Sequence, residues 1–257
     1  MTFRWGGLLL ALGIAAGAFL STREAKRRDY DPQVIYYLFL PLVIWGMVGA
    51  RLWHIFTPPL SSVQLGLTTG HYLTHFLDVL AMWIGGFGIP GAWIGSMAAL
   101  FFFARRNELD YWELADVIAP GALLAQVFGR LGNYFNQELY GLPSNLPWKI
   151  FIAQDYRLMG YESIEYYHPL FAYEMLLNLA SLLLLLWIGR RYAAKLKAGD
   201  IFLVYLGSYS FIRAALEFLR LDVSLVNGIN INQLFFLVVF LGSVAGIYLR
   251  HRLAQEL

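Results

Sequence analysis

The chain has 257 residues, 59% of them hydrophobic and only 14% charged, with a formal net charge of +2 and a mean hydropathy of +0.56. That balance excludes an ordinary soluble domain and gives no basic field that would argue for nucleic acid as a partner. Without any cysteine the chain has no disulfide, no thiolate metal site and no cysteine nucleophile.

Apolar stretches of about 20 residues recur, the length at which a helix rising about 1.5 Å per residue crosses roughly 30 Å of hydrocarbon. Seven are predicted, at 5–20, 35–55, 76–103, 114–131, 170–188, 201–219 and 231–249. Residues 1–257 therefore read as one all-α, polytopic membrane domain. The first stretch ends in Ala16-Gly17-Ala18, like a secretory signal, but its cations follow the apolar run where a signal carries them ahead of it. It is expected to be a permanent helix.

Arg23, Lys26, Arg27 and Arg28 follow the first span, and Arg105 and Arg106 the third. Arg190, Arg191, Lys195 and Lys197 follow the fifth, with Arg250 and Arg252 after the seventh. These are 12 of the 19 Lys and Arg, all on one side. The positive-inside rule makes that side cytoplasmic, with the N-terminus outside and the C-terminus inside. Gly13 with Gly17, Gly91 with Gly95, and Gly242 with Gly246 are small-residue pairs four apart, suited to close helix packing within the bundle. Residues 142–168 form the one sizeable outer segment, dense in Tyr and Trp and expected to lie against headgroups.

Chemistry concentrates where the fourth span ends, in the run from Phe128 to Gly141. Arg130 and Asn133 are three apart and share a helical face, with Asn136 continuing roughly along it. Two roles fit an intramembrane arginine. One is a planar fork for phosphate; the other is an internal ion pair that pins two helices. In the sixth span Tyr209, Arg213, Glu217 and Arg220 fall close to one stripe, read for Glu217 and Arg220 as a salt-bridge ladder. If Arg213 faces Arg130, the two clamp one phosphate. The fifth span opens on His168-Pro169, with Glu174 one turn inside as a partner for a buried arginine. His168 fits either a general base or a hydrogen bond at a helix start. His54, His71 and His75 read as loop and interface residues, the last two lacking a third metal ligand.

The run Gly129-Arg130-Leu131-Gly132-Asn133-Tyr134-Phe135-Asn136-Gln137-Glu138-Leu139-Tyr140-Gly141 closely resembles the signature of the bacterial prolipoprotein diacylglyceryl transferases. Phe3-Arg4-Trp5, Gly49-Ala50-Arg51, Asp116 through Pro120, His168-Pro169 with Tyr173-Glu174, and the Tyr209 to Arg220 stripe fit the same pattern. The resemblance implies an enzyme of the bacterial inner membrane that moves diacylglycerol from phosphatidylglycerol to the lipobox cysteine of a prolipoprotein signal peptide. A thioether forms, glycerol phosphate leaves, and no cofactor or metal is needed. It further implies that Arg130 binds the headgroup and Arg213 stabilises the departing phosphate. Asn133, Asn136, Glu138 and Tyr209 would position the headgroup, Glu217 and Arg220 support it, and Gly141 permits a tight turn. Three positions depart from the pattern: Pro90 stands where a histidine assigned to thiol activation is usual, Ile84 where an aspartate is, and Gly6 where a tyrosine is. They leave the thiol to be deprotonated by His168 or another group, or to ionise without a dedicated base. They also keep open a family member that binds anionic phospholipid without transfer, and a small anion transporter is the rival from another class.

Overall fold

The computed structural model describes residues 5–253, so Phe3-Arg4 of the N-terminal motif lies outside the described residues. It is a helical assembly of α1 (Trp5–Arg27), α2 (Gln33–Phe56), three short helices α3 (Leu60–Gln64), α4 (Thr69–Thr74) and α5 (Phe76–Leu80), and five long ones. These are α6 (Ile89–Arg106), α7 (Tyr111–Phe135), α8 (Leu170–Arg191), α9 (Asp200–Leu216) and α10 (Ile231–Leu253). Two antiparallel hairpins sit between helices: β1 (Ile150–Phe151) with β2 (Tyr166–Tyr167), and β3 (Leu225–Val226) with β4 (Ile229–Asn230).

Six of the helices, all the long ones except α6, are long and apolar enough to cross a membrane. Their outward faces carry exposed Leu40, Ile44, Leu176, Leu183, Leu234, Leu241 and Val244. Apolar faces of that extent are stable in lipid and not in water, so this is a multi-pass membrane protein. The predicted third span, 76–103, is not one helix. It breaks into α5, a 3₁₀ turn at Met82–Ile84 and the 18-residue α6, because Gly85 and Gly86 adopt φ of +89° and +82°. Only glycine takes that conformation without strain. Pro90 then sits in the first turn of α6, where its missing N–H costs nothing.

The core lies around α7 and α9. Leu114, Val117 and Leu123 of α7 meet Phe202, Tyr205 and Tyr209 of α9, with Trp93 from α6 and Phe236 from α10. Asp116 has a structural task here. Its carboxylate accepts from the backbone N–H of Gly199 at 3.0 Å and Phe202 at 2.8 Å, capping α9 from a neighbouring helix. Close backbone approach joins α1 to α7 at Gly17 and Gly121, and α2 to α6 at Gly49 and Gly91. The aromatic segment folds as a small satellite core of Tyr140, Ile152, Tyr167 and Leu221. The Tyr140 hydroxyl donates to the Tyr156 carbonyl at 2.7 Å, and burial pushes this phenol up to about 12.

Basic residues close α1, α6, α8 and α10. Arg28 pairs with Asp116 at 3.3 Å and His251 with Asp200 at 2.8 Å, tying the ends of α1 and α10 to the starts of α7 and α9, and Arg190 pairs with Glu24 at 3.1 Å, tying the end of α8 to that of α1.

Candidate active site

At the other end of the bundle a cavity of about 860 Å³ opens between the ends of α2, α7 and α9 and the loop 85–90. That size suits a lipid headgroup and part of its glycerol. Its wall includes Arg130, Asn133, Asn136, Glu138, Arg213 and Arg220, so the predicted polar stripes do meet.

Helical spacing sets the first contacts. Arg130 Nη1 donates to Asn133 Oδ1 at 3.1 Å, and Asn133 Nδ2 donates to Glu138 Oε2 at 3.2 Å. Gln137 and Leu139 flank Glu138 with positive φ of 51° and 54°, a conformation that costs on the order of 1 kcal/mol or more for each non-glycine residue. Such strain, on either side of one carboxylate, holds Glu138 out at the cavity wall.

Behind the wall the arginines are tied by buried carboxylates. Glu174 of α8 is fully buried; its Oε1 lies 2.7 Å from Arg130 Nη2 and its Oε2 2.9 Å from Arg213 Nη1. Tyr209 donates its hydroxyl proton to Glu174 Oε1 at 2.9 Å. Glu217 holds Arg213 at 3.1 Å, stands 3.7 Å from Arg220 and receives Asn230 Nδ2 at 3.4 Å. Three guanidiniums thus share two buried carboxylates, while Glu138 and Asp222 stand at other points of the cavity wall. Nε of Arg130, Arg213 and Arg220 is in each case buried without a partner, further donor capacity in a cluster short of acceptors.

Other predicted residues stand elsewhere. Tyr209 and Glu217 do not line the cavity; Tyr209 is bonded to Glu174 and Glu217 to Arg213. His168 is also absent from the wall; its Nδ1 is 3.2 Å from the Tyr173 hydroxyl, and its backbone pairs with Leu142 and Gly141. Its side chain thus makes a hydrogen bond at the start of α8. Gly141 has no positive φ and makes no tight turn. It is needed because a Cβ there would lie 2.7 Å from the Leu219 carbonyl, where the chain pairs with Arg220.

Residues not singled out from sequence complete the wall. His54, read there as an interface residue, lines the cavity with Trp53, Asp222 and Asn232. Arg51, buried behind them, donates to the carbonyls of Asp78, Val79, Gly85 and Gly86 and so fixes the loop before α6. The departure at position 6 has a steric reason: a Cβ on Gly6 would collide with the Asn136 amide. Among the described residues no group of three His, Asp or Glu stands together as a metal site.

The sequence model of the prolipoprotein diacylglyceryl transferases matches residues 1–249. The phosphatidylglycerol–prolipoprotein diacylglyceryl transferase of Synechococcus elongatus is 39% identical over 260 residues, covering 100% of this chain and 86% of its own length. Those of Thermosynechococcus vestitus and Gloeobacter violaceus are each 38% identical, covering 95% and 98% of this chain and 87% and 91% of theirs. A polytopic membrane protein with an arginine-lined, carboxylate-braced cavity at one end is the class these features define. The chain belongs to the prolipoprotein diacylglyceryl transferase family.

Proposed function

We propose that this chain transfers the diacylglyceryl group of phosphatidylglycerol to the lipobox cysteine thiol of a prolipoprotein. The observation that carries this reading is the convergence of three guanidiniums, Arg130, Arg213 and Arg220, on one cavity wall, where Glu174 and Glu217 fix their positions beside the space a phosphodiester would fill. Arg130 offers the headgroup its planar fork, which Asn133 and Glu174 orient. Arg213, held between two carboxylates, keeps its charge fixed beside it. Arg220 adds the third cation, and Asn136 and Glu138 complete the polar wall that seats the glycerol.

The substrate sulfur attacks the glyceryl carbon that carries the phosphate oxygen. A C–S bond forms while that C–O bond breaks, and its electron pair leaves on glycerol phosphate. The departing group gains a second negative charge as the bond breaks. Preorganised cations therefore bind the transition state more tightly than the ground state, which is where their catalytic effect arises. The thiol proton ends on the phosphate monoester, so charge and atoms balance.

We place the cavity on the outer side of a bacterial inner membrane and the basic helix ends on the cytoplasmic side, with the N-terminus outside. Helix α6, about 27 Å long by its rise per residue, then supplies a seventh crossing in a single domain. Release of glycerol phosphate and mass gain by a lipobox peptide, in nanodiscs containing phosphatidylglycerol, test the reading. Arg130→Ala is expected to abolish both, and undiminished turnover in that variant would refute it. Pro90 and Ile84 favour a second reading, a member that holds anionic lipid without transfer. Lipid retention with no glycerol phosphate release would establish that one.

A further inference from the structure

The reaction requires an acceptor for the thiol proton, and the cavity wall offers few. Glu174 and Glu217 lie behind the wall, the first held by two arginines and Tyr209 and the second by Arg213. Asp222 accepts both the backbone N–H and the hydroxyl of Ser61 at 2.8 Å, and Glu138 receives Asn133. No lysine lines the wall, and His54 is its one imidazole among the described residues. The other histidines stand away from it: His71 against Asp78, His75 stacked on His71, His168 against Tyr173 and His251 against Asp200.

Resting on the transferase reading, we propose that His54 is the catalytic base that takes the proton from the lipoprotein thiol. The ring is buried, 7% exposed, in the last turn of α2, so it faces the same end of the bundle as Arg130 and Arg213. Its Nε2 meets the Tyr72 hydroxyl at 3.3 Å, and the two rings stand edge to face at 5.9 Å. With Nε2–H donating to that hydroxyl, Nδ1 keeps the lone pair that receives a proton. Gly86 makes room for the ring: a Cβ there would lie 2.7 Å from both His54 Nε2 and Arg51 Nη1. Arg51 binds the Gly85 and Gly86 carbonyls, so the same arginine that locks the loop keeps this niche open. The thiol S–H proton passes to His54, the thiolate forms the C–S bond, and the imidazolium returns the proton to the leaving phosphate.

The test uses the full chain in phosphatidylglycerol nanodiscs with two lipobox peptides, one with cysteine and one with selenocysteine. A selenol ionises more readily than a thiol and dispenses with a base. His54→Gln is expected to lower kcat on the cysteine peptide by about 10²- to 10³-fold, the usual scale of general-base removal. On the selenocysteine peptide the loss should be under about tenfold, and phosphatidylglycerol binding should be unchanged. Equal losses on both peptides, or none on the cysteine peptide, overturn the proposal. Should H54Q fail to fold, His54→Phe keeps a ring against Tyr72 and is read the same way. A wild-type chain inactive on both peptides removes the transferase reading, and this one with it.

Discussion

Arg130 and Arg213, carried by different helices, are held on the two oxygens of one carboxylate, Glu174, at 2.7 and 2.9 Å. Of the two roles open to an intramembrane arginine the ion pair is formed, and in the proposed reaction the phosphate is bound by the same two side chains. The ion pair sets the spacing of the cations along the cavity wall. Glu174→Gln keeps the shape but leaves three guanidiniums against one carboxylate. Breaking a buried pair costs about 3–5 kcal/mol, so the melting temperature in zwitterionic nanodiscs should fall by on the order of 10 °C. Phosphatidylglycerol should restore part of it, because its phosphate replaces the lost charge. An unchanged melting temperature would remove Glu174 from this role.

Arg130→Lys separates charge from geometry. Lysine keeps the cation but cannot reach Asn133 and Glu174 while presenting a fork to phosphate. Losing one charge-assisted hydrogen bond, about 1.5–3 kcal/mol, should lower kcat/KM by about 10- to 100-fold. Wild-type kcat/KM in the lysine variant would show that charge alone suffices.

What could be read from sequence was whatever lies within one helix. Arg130 with Asn133 and Arg213 with Glu217 follow from spacings of three and four, and both pairs form. The apolar runs marked the membrane helices by length alone. The third run failed because its hydropathy continues through Gly85 and Gly86, whose positive φ ends the helix whatever the neighbouring side chains are. The place of Glu174 one turn into the fifth span gives it a buried arginine as partner but not the bridge between two other helices, since that geometry depends on how α8 packs. His54 could not be separated from an interface residue, because its meaning comes from Gly86 across a loop. A local signal did exist: it stands three residues after Arg51, in a segment that already matched the family pattern.

His168 provides the contrast to His54. Its imidazole meets Tyr173 outside the cavity wall, while its backbone N–H donates to Leu142 at 3.0 Å and its carbonyl accepts from Gly141 at 2.9 Å. Those backbone bonds survive truncation. His168→Ala should therefore keep kcat/KM within about tenfold of wild type, a loss of one ordinary hydrogen bond. A fall of 10³-fold or more, with the melting temperature intact, would return the base to His168.

Two glycines that look alike in sequence should behave oppositely. At Gly49 a Cβ would press into the Gly91 carbonyl, at the crossing where the Gly88 N–H also donates to the Ala50 carbonyl at 2.9 Å. Gly49→Ala must spread α2 from α6, an overpacking that costs about 1–3 kcal/mol. It also moves His54 relative to Gly86, so stability and turnover should fall together, and added phosphatidylglycerol should recover neither. Gly242 of α10 has nothing within 4 Å of such a Cβ. Gly242→Ala then gains only helix propensity, up to about 1 kcal/mol, and should melt at or slightly above wild type with full activity. Thermal melts and glycerol phosphate release on the two variants decide the matter. Equal destabilisation at both positions would mean that α10 packs on a partner through the Gly242 face, and that the close α2–α6 contact is not what sets the cavity.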